Sequence, residues 1–217
     1  MMAATPTRAA PMPKRPFCPH CERPMTTCLC EALVSVDCPY RLVILQDPRE
    51  ARHALSSVPI LVKQVRTASL WVGDVFDPAE VIGASWQTDA ALVFPSTQAT
   101  GAHAAKDGGI TTLIFLDGTW KKATRLMHLN PWLQELPCLA LQPDQPSTYR
   151  IRKSPRADGL STIEAAVLVL NGLQSTQDFS VILPAFEKMI DYQITAMGRD
   201  TYRKNHLKAG RGGLSPQ

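Results

Sequence analysis

Two stretches of this chain, Arg41-Leu-Val-Ile-Leu-Gln46 and Thr111-Thr-Leu-Ile-Phe-Leu116, each hold four apolar residues in a row with no polar break. A strand with one face in water alternates apolar and polar residues. An unbroken run reads instead as a strand buried on both faces, as in a parallel sheet covered by helices. Further strands are expected at Ser69 to Phe76, bounded by Gly73 and Asp77-Pro78, at Ala90 to Phe94, stopped by Pro95-Ser96, and at Cys138 to Gln142. Helices are expected to open at Asp47-Pro48-Arg49-Glu50, by its early proline and acidic first turn, and to run from Thr119 to just before Asn130-Pro131. Ser161-x-x-Glu164 makes a capping box ahead of an apolar run to Leu173. A last helix, from about Pro184 to Lys204, carries Phe186, Met189, Ile190 and Ile194 at helical spacing. Strands alternating with helices make the class α/β, with a mostly parallel sheet flanked by helices.

Ahead of this domain, four of the six cysteines fall within thirteen residues, as Cys18-Pro-His-Cys21 and Cys28-Leu-Cys30. Four thiolates in a short turn-rich segment suit a structural Zn²⁺, which folds a piece too small to bury its own core. Disulfides fit a cytosolic chain poorly. An iron–sulfur cluster also takes four cysteines and ranks behind zinc. His20 stands between two of the ligands and can replace one, although a local hydrogen bond is its plainer role. Cys38 and Cys138 lie apart and read as ordinary buried thiols.

The chain has 217 residues, enough for a sizeable core, and no apolar run reaches the length of a membrane span. The N-terminus lacks the apolar stretch of a secretory signal, so a cytoplasmic protein is expected. Residues 1–16 read as a disordered basic tail, 17–38 as the zinc-binding segment, 39–205 as the α/β domain and 206–217 as a flexible basic tail. The net charge of +4 decides little by itself. Its distribution says more: Lys121, Lys122, Arg125, Arg150, Arg152, Lys153 and Arg156 form one cluster, and Arg199, Arg203, Lys204, Lys208 and Arg211 another. A solvated face and a soluble tail explain these as well as an RNA footprint does, until a substrate is argued independently.

Three polar segments follow expected strands, where open α/β sheets place ligands. They are Phe94-Pro95-Ser96, Leu116-Asp117-Gly118-Thr119-Trp120, and Tyr149-Arg150-Ile151-Arg152 leading to Ser161-Thr162-Ile163-Glu164. Each has a dull explanation alone: Asp117 as a helix cap, Trp120 as core, Ser161 and Glu164 as nothing more than the capping box. Together they resemble the DTW-domain family. Asp117-Gly-Thr-Trp120 matches its Asp-x-Thr-Trp signature. The four cysteines, Asp47-Pro-Arg-Glu50 with His53, Phe94-Pro-Ser96, and Ser147-Thr-Tyr149 with Leu160-Ser-Thr-Ile-Glu164 agree in order, from Cys18 to about Tyr202. The chain departs from the family at Gln46-Asp47, where a histidine before the proline is the commoner pattern.

The resemblance, which extends to the bacterial tRNA-uridine aminocarboxypropyltransferases of the family, implies a SPOUT-like α/β domain with a knotted C-terminal part. It implies S-adenosylmethionine as a consumed substrate and tRNA as the acceptor. The aminocarboxypropyl group would pass to N3 of a uridine in the tRNA variable region, releasing 5′-methylthioadenosine. Asp117 is then the expected catalytic residue, as the base for the N3 proton or as a charge that holds the cationic donor. Phe94, Pro95, Ser96, Leu116, Thr119, Trp120, Ser161, Thr162 and Glu164 are expected to bind S-adenosylmethionine. Lys121, Arg125, Arg150, Arg152 and Lys153 are expected to meet RNA, and Cys18, Cys21, Cys28 and Cys30 the metal. Neither a membrane nor a stable protein partner is called for. A SPOUT-type methyltransferase and a non-enzymatic zinc-ribbon RNA-binding protein are the competing readings.

Overall fold

The computed structural model describes residues 16–94, 109–139, 159–174 and 176–203. Among these, β1 (Arg41–Gln46), β2 (Ala68–Val72), β3 (Ala90–Val93), β4 (Thr112–Asp117) and β5 (Cys138–Leu139) form one sheet in the order β2-β1-β4-β3-β5. All four pairings are parallel. The helices are α1 (Val58–Gln64), α2 (Pro78–Val81), α3 (Trp86–Asp89), α4 (Trp120–Leu129), α5 (Thr162–Leu173), α6 (Leu183–Met197) and α7 (Arg199–Tyr202). The α/β class and the covered parallel sheet agree with the sequence reading. No described helix is long and apolar enough to cross a membrane.

Alternate residues of one strand face opposite layers. Leu42, Ile44, Leu113 and Phe115 enter a core with α1, α5 and α6, whereas Val43, Leu45 and Ile114 enter a second core with Val81, Ile82, Trp132 and Leu133. That double burial is why the strands read as unbroken apolar runs. At the edge, β2 is only partly buried and ends on exposed Val72.

Several boundaries differ from expectation for identifiable reasons. No helix opens at Asp47. Its carboxylate accepts from Arg49 N at 2.9 Å, and its carbonyl accepts from Glu50 N at 2.8 Å. Two more bonds of the same three-residue span follow, His53 N to Glu50 O and Ser56 N to His53 O. Residues 47–56 therefore wind as stacked turns, and α1 begins only at Val58. The capping box is present as read: Ser161 Oγ accepts from Glu164 N, and the Glu164 carboxylate accepts from Ser161 N at 2.8 Å. The last helix breaks at Gly198, whose φ of 83° suits glycine. The strand expected over Cys138 to Gln142 is seen as Cys138–Leu139, and its remainder lies outside the described residues.

The cysteine segment docks on the first core. Leu29 is buried there, and Val36 bridges Val65. Gln64, fully buried at the end of α1, accepts from Val34 N at 3.1 Å and donates to Ile182 O at 2.9 Å. One amide thus ties segment, helix and α6 entry together. Gln64→Met fills similar space and abandons both backbone partners. Each buried backbone group left unsatisfied costs about 1–3 kcal/mol, so urea denaturation should show the variant about 2–4 kcal/mol less stable; an unchanged midpoint would refute this role.

Candidate functional site

From β1 the chain turns out to β2 on one side; from β4 it leaves for β5, beyond β3, on the other. Neighbouring strands whose connections diverge leave a crevice at their carboxyl ends, where open α/β sheets bind ligands. The final residues of these strands, Gln46 and Asp117, are register partners across that crevice. Asp117 does not cap α4. Thr119 holds the N-cap position, without a side-chain cap bond. The Asp117 carboxylate is instead gripped on both oxygens: Gln46 Nε2 donates to Oδ2 at 2.8 Å, and Thr162 Oγ1 donates to Oδ1 in a very short contact. It is nine-tenths buried. Its rotation is fixed, while each oxygen keeps a lone pair for another donor.

Around this acid the chain supplies walls and clasps. Phe94, at the end of β3, meets Trp120, at the start of α4, edge to face with ring centroids 5.5 Å apart. Leu116 is half-buried beside them, and Thr119 is exposed. The N-terminus of α5 is hooked to the loop before α1 by a 3.4 Å bond from Ile163 N to Ser57 Oγ. Ser161 Oγ also donates to Glu164 at 2.6 Å, so both residues are buried and bonded to each other, while Thr162 between them reaches Asp117. Gly118 allows the turn to pass close to α4, because a Cβ there would sit 2.9 Å from Lys122 Cβ.

Two cations of α4 bind the adjoining loops. Lys122 Nζ reaches Glu50 at 2.7 Å. Arg125 meets Asp74 at 2.6 Å and fully buried Asp47 at 3.4 Å, and its guanidinium holds the Asp74 carboxyl below the usual carboxylate range. Asn130 completes the clasp, donating to Asp74 O at 2.9 Å and accepting from Phe76 N at 2.8 Å. The loops after β1 and β2 are thereby strapped to the helix that follows β4.

The cysteine centre lies elsewhere, against α1 and α6. Its four sulfurs lie within 4.8 Å of one another, with Cys18 to Cys30 at 3.5 Å and Cys21 to Cys28 at 3.6 Å. Tetrahedral thiolates about 2.3 Å from one ion are about 3.8 Å apart, so this donor set fits a single metal ion. The backbone N–H groups of Cys21 and His20 pull the Cys18 thiol down to about 6, while hydrogen bonding to Cys18 and Cys28 pushes Cys30 up to about 12. His20 is exposed and not among the clustered donors. Cys38 is buried, as expected, and burial raises its thiol pKa; Cys138 is half-buried and donates to Phe94 O at 3.3 Å.

The model of the DTW domain matches residues 15–194. The chain belongs to the DTW domain family. It is similar to tRNA-uridine aminocarboxypropyltransferase 2 of Macaca fascicularis, at 26% identity over 91% of this chain and 70% of that protein. The protein of the same name from Mus musculus is also 26% identical, over 94% of this chain and 72% of its own length. The Drosophila melanogaster protein of that name matches at 26% over 86% of this chain and 78% of its own. No solved structure matches the chain significantly.

In this DTW domain the structure gathers Phe94, Leu116, Asp117, Trp120 and Thr162 at the carboxyl end of the sheet, with Ser161 and Glu164 buried at the start of α5. Pro95, Ser96, Arg150, Arg152 and Lys153 lie outside the described residues. Lys121 is exposed, whereas Arg125 is engaged by two carboxylates rather than displayed. Sequence reasoning missed Gln46 as a site residue. Its signal was the departure from the family pattern at that position, next to a strand end. Gln46→Glu tests the register directly, because two carboxylates would then face each other at hydrogen-bond distance. Unable to ionise together, they would share a proton, and the folded-state pKa of one would rise above the unfolded value near 4.3. Such a variant should match the wild type near pH 4 and lose stability as pH rises through and beyond that value, by about 3 kcal/mol at pH 7 for a two-unit shift. Parallel denaturation curves at both pH values would show that the two side chains do not meet.

Proposed function

We propose that this chain is a tRNA-uridine aminocarboxypropyltransferase. The observation that carries the reading is the twice-bonded Asp117 of the Asp-Gly-Thr-Trp motif at the β1/β4 crevice, in a family whose named relatives are enzymes of this kind. S-adenosylmethionine is the donor. Its sulfonium activates three carbons, and the site must present Cγ of the aminocarboxypropyl arm to the acceptor. The bond from sulfur to Cγ breaks, sulfur keeps the pair and leaves as 5′-methylthioadenosine, and N3 of a uridine in the tRNA variable region bonds to Cγ. The N3 proton passes to a base. Positioning accounts for much of the rate in such a displacement.

Asp117 takes the proton in this reading; its held carboxylate offers an oxygen lone pair at a fixed place. Phe94 and Trp120 supply aromatic walls for the adenosine or the unstacked uracil. Leu116, Thr119 and Thr162 line the donor's side together with Pro95 and Ser96, while Ser161 and Glu164 hold the first turn of α5 in place. Lys121 joins Arg150, Arg152 and Lys153 as RNA contacts, and Arg125 serves the site by bracing Asp47 and Asp74. Residues 39–205 form the catalytic domain, with the knotted SPOUT-like connection in its C-terminal part, and the enzyme works on tRNA in the cytoplasm.

The metal of residues 17–38 is a structural Zn²⁺ held by Cys18, Cys21, Cys28 and Cys30. Thiolates ligating different irons of a cluster would stand further apart than these sulfurs do. Purified protein should carry about one zinc per chain by elemental analysis, and Cys28→Ser should lose both zinc and thermal stability. Iron with visible absorption would overturn this assignment.

Asp117→Asn separates the roles of the acid. The fold should survive, because the Asn oxygen can accept from Gln46 while its NH₂ donates to the Thr162 hydroxyl. As general base, Asp117 is worth roughly two to four orders of magnitude in single-turnover transfer, with S-adenosylmethionine affinity little changed. As a holder of the cationic donor, its loss should weaken affinity, and saturating donor should restore much of the rate. Wild-type values for both would remove Asp117 from the mechanism. In the same assay, S-adenosylhomocysteine in place of methylthioadenosine would make the enzyme a methyltransferase.

A further inference from the structure

The stacked turns between β1 and α1 carry exposed side chains that the proposed mechanism leaves unused, and their backbone is regular. Three bonds repeat at three-residue spacing: Glu50 N to Asp47 O at 2.8 Å, His53 N to Glu50 O at 2.8 Å, and Ser56 N to His53 O at 3.0 Å. Such a winding sets residues three apart on one side, as in a 3₁₀ helix. One row holds buried Asp47, half-buried Glu50 and half-buried Ser56, with His53 exposed among them. This row anchors the loop: Asp47 to Arg125, Glu50 to Lys122, and Ser56 Oγ to Gln46 Nε2 at 3.4 Å. The next row holds Arg49 and Arg52, both exposed, and then Leu55, which packs against the first core.

The anchors fix where these arginines stand. Asp47 N donates to Asp117 O at 3.2 Å, and a Cβ on Gly118 would lie 3.7 Å from Glu50 Cγ. The loop therefore abuts the Asp117 turn at the mouth of the crevice. The Arg49 charge also helps to lower the Asp74 carboxyl, which Arg125 already engages at 2.6 Å. His53 adds a further donor: its Nδ1 accepts from Leu55 N at 3.4 Å, which leaves the Nε2 proton directed away from that bond in the neutral ring. Two exposed guanidiniums on one row of a braced loop, beside a site proposed to receive a base from a polyanion, have the chemistry that phosphate contacts need.

We infer that Arg49 and Arg52 grip the RNA backbone beside the target nucleotide, holding its phosphates while the base enters the crevice. The inference rests on the proposed tRNA substrate and extends it to two residues that the proposed mechanism leaves without a role. It also moves the role expected of Arg125 to this loop, because Arg125 is engaged by Asp47 and Asp74.

The test is the salt dependence of binding to an unmodified tRNA transcript, followed by fluorescence anisotropy, with S-adenosylmethionine binding and transfer measured on the same preparations. Arg52→Gln and Arg66→Gln remove the same charge. Arg66, however, lies just before β2 at the opposite, amino-terminal edge of the sheet, where it is exposed and pairs with Asp37. Each phosphate contact contributes about 0.7–0.9 to the slope of log K against log salt. Arg52→Gln should flatten the slope by about that much, and Arg49→Gln with Arg52→Gln by about twice as much, raising the tRNA KM while donor affinity is unchanged. Arg66→Gln should leave the slope alone. Equal effects of Arg52→Gln and Arg66→Gln, or no effect of the double change, would overturn the inference while wild-type transfer leaves the enzyme assignment standing. A wild-type protein that neither binds tRNA nor transfers to it would overturn both.

Discussion

A strand buried on both faces must hand over to water at its carboxyl end, and in this chain the hand-over is delayed. Gln46, Asp47 and Asp117 stay buried after the apolar cores have ended. An isolated carboxylate in such a place is costly unless it is paired or hydrogen-bonded. Both acids are provided for from within: Asp117 by Gln46 and Thr162, Asp47 by Arg49 N and Arg125. The positions of α4, α5 and the first two loops all follow from these partners. The site is thus a set of buried acids whose donors arrive from three separate stretches of chain, and its geometry is as rigid as that network.

The same requirement divides the basic residues. Lys122 and Arg125 sit on the first two turns of α4 and look, along the sequence, like part of one positive stripe with Lys121. In the fold they turn inward to Glu50, Asp47 and Asp74, and Lys121 alone of the three is exposed. Partly buried ion pairs of this kind contribute more to fixing register and loop position than to net stability, since desolvation offsets much of their attraction. Their service here is to make the loops rigid enough to carry exposed charge of their own.

The central strands were legible because double burial erases alternation, and α5 because Ser161 and Glu164 signal a capping box before an apolar run. The family was legible from the Asp117-Gly-Thr-Trp120 motif and its flanks, and the cysteine centre from its spacing. Asp47-Pro48-Arg49-Glu50 misled, since an aspartate before proline starts a turn as readily as a helix; which it does depends on Lys122 and Arg125, more than seventy positions away. Gln46 escaped notice for a related reason. As the last letter of an apolar run it reads as a strand end, and only the register of β1 against β4 brings it to Asp117. Periodicity reports which face a residue takes and says nothing about which strand lies alongside. The short helices α2 and α3, four residues each, carry too little pattern to be seen.

The two centres, metal and crevice, are joined by α1. Its C-terminal residue Gln64 holds Val34 N with its side chain and Val36 N with its carbonyl, which secures the chain leaving the cysteines. Its N-terminal flank, Ser56 and Ser57, meets Gln46, which bonds Asp117, and Ile163, the neighbour of Thr162, which bonds it too. Seven helical residues span only about 10 Å. A rigid element that short cannot absorb a displacement at one end by bending, so a shift of the cysteine segment moves Ser57 and, with it, the first turn of α5. Any support that a metal held by the four cysteines gives to the crevice would pass through the placement of α1, against a core in which Val58 and Leu61 are fully buried.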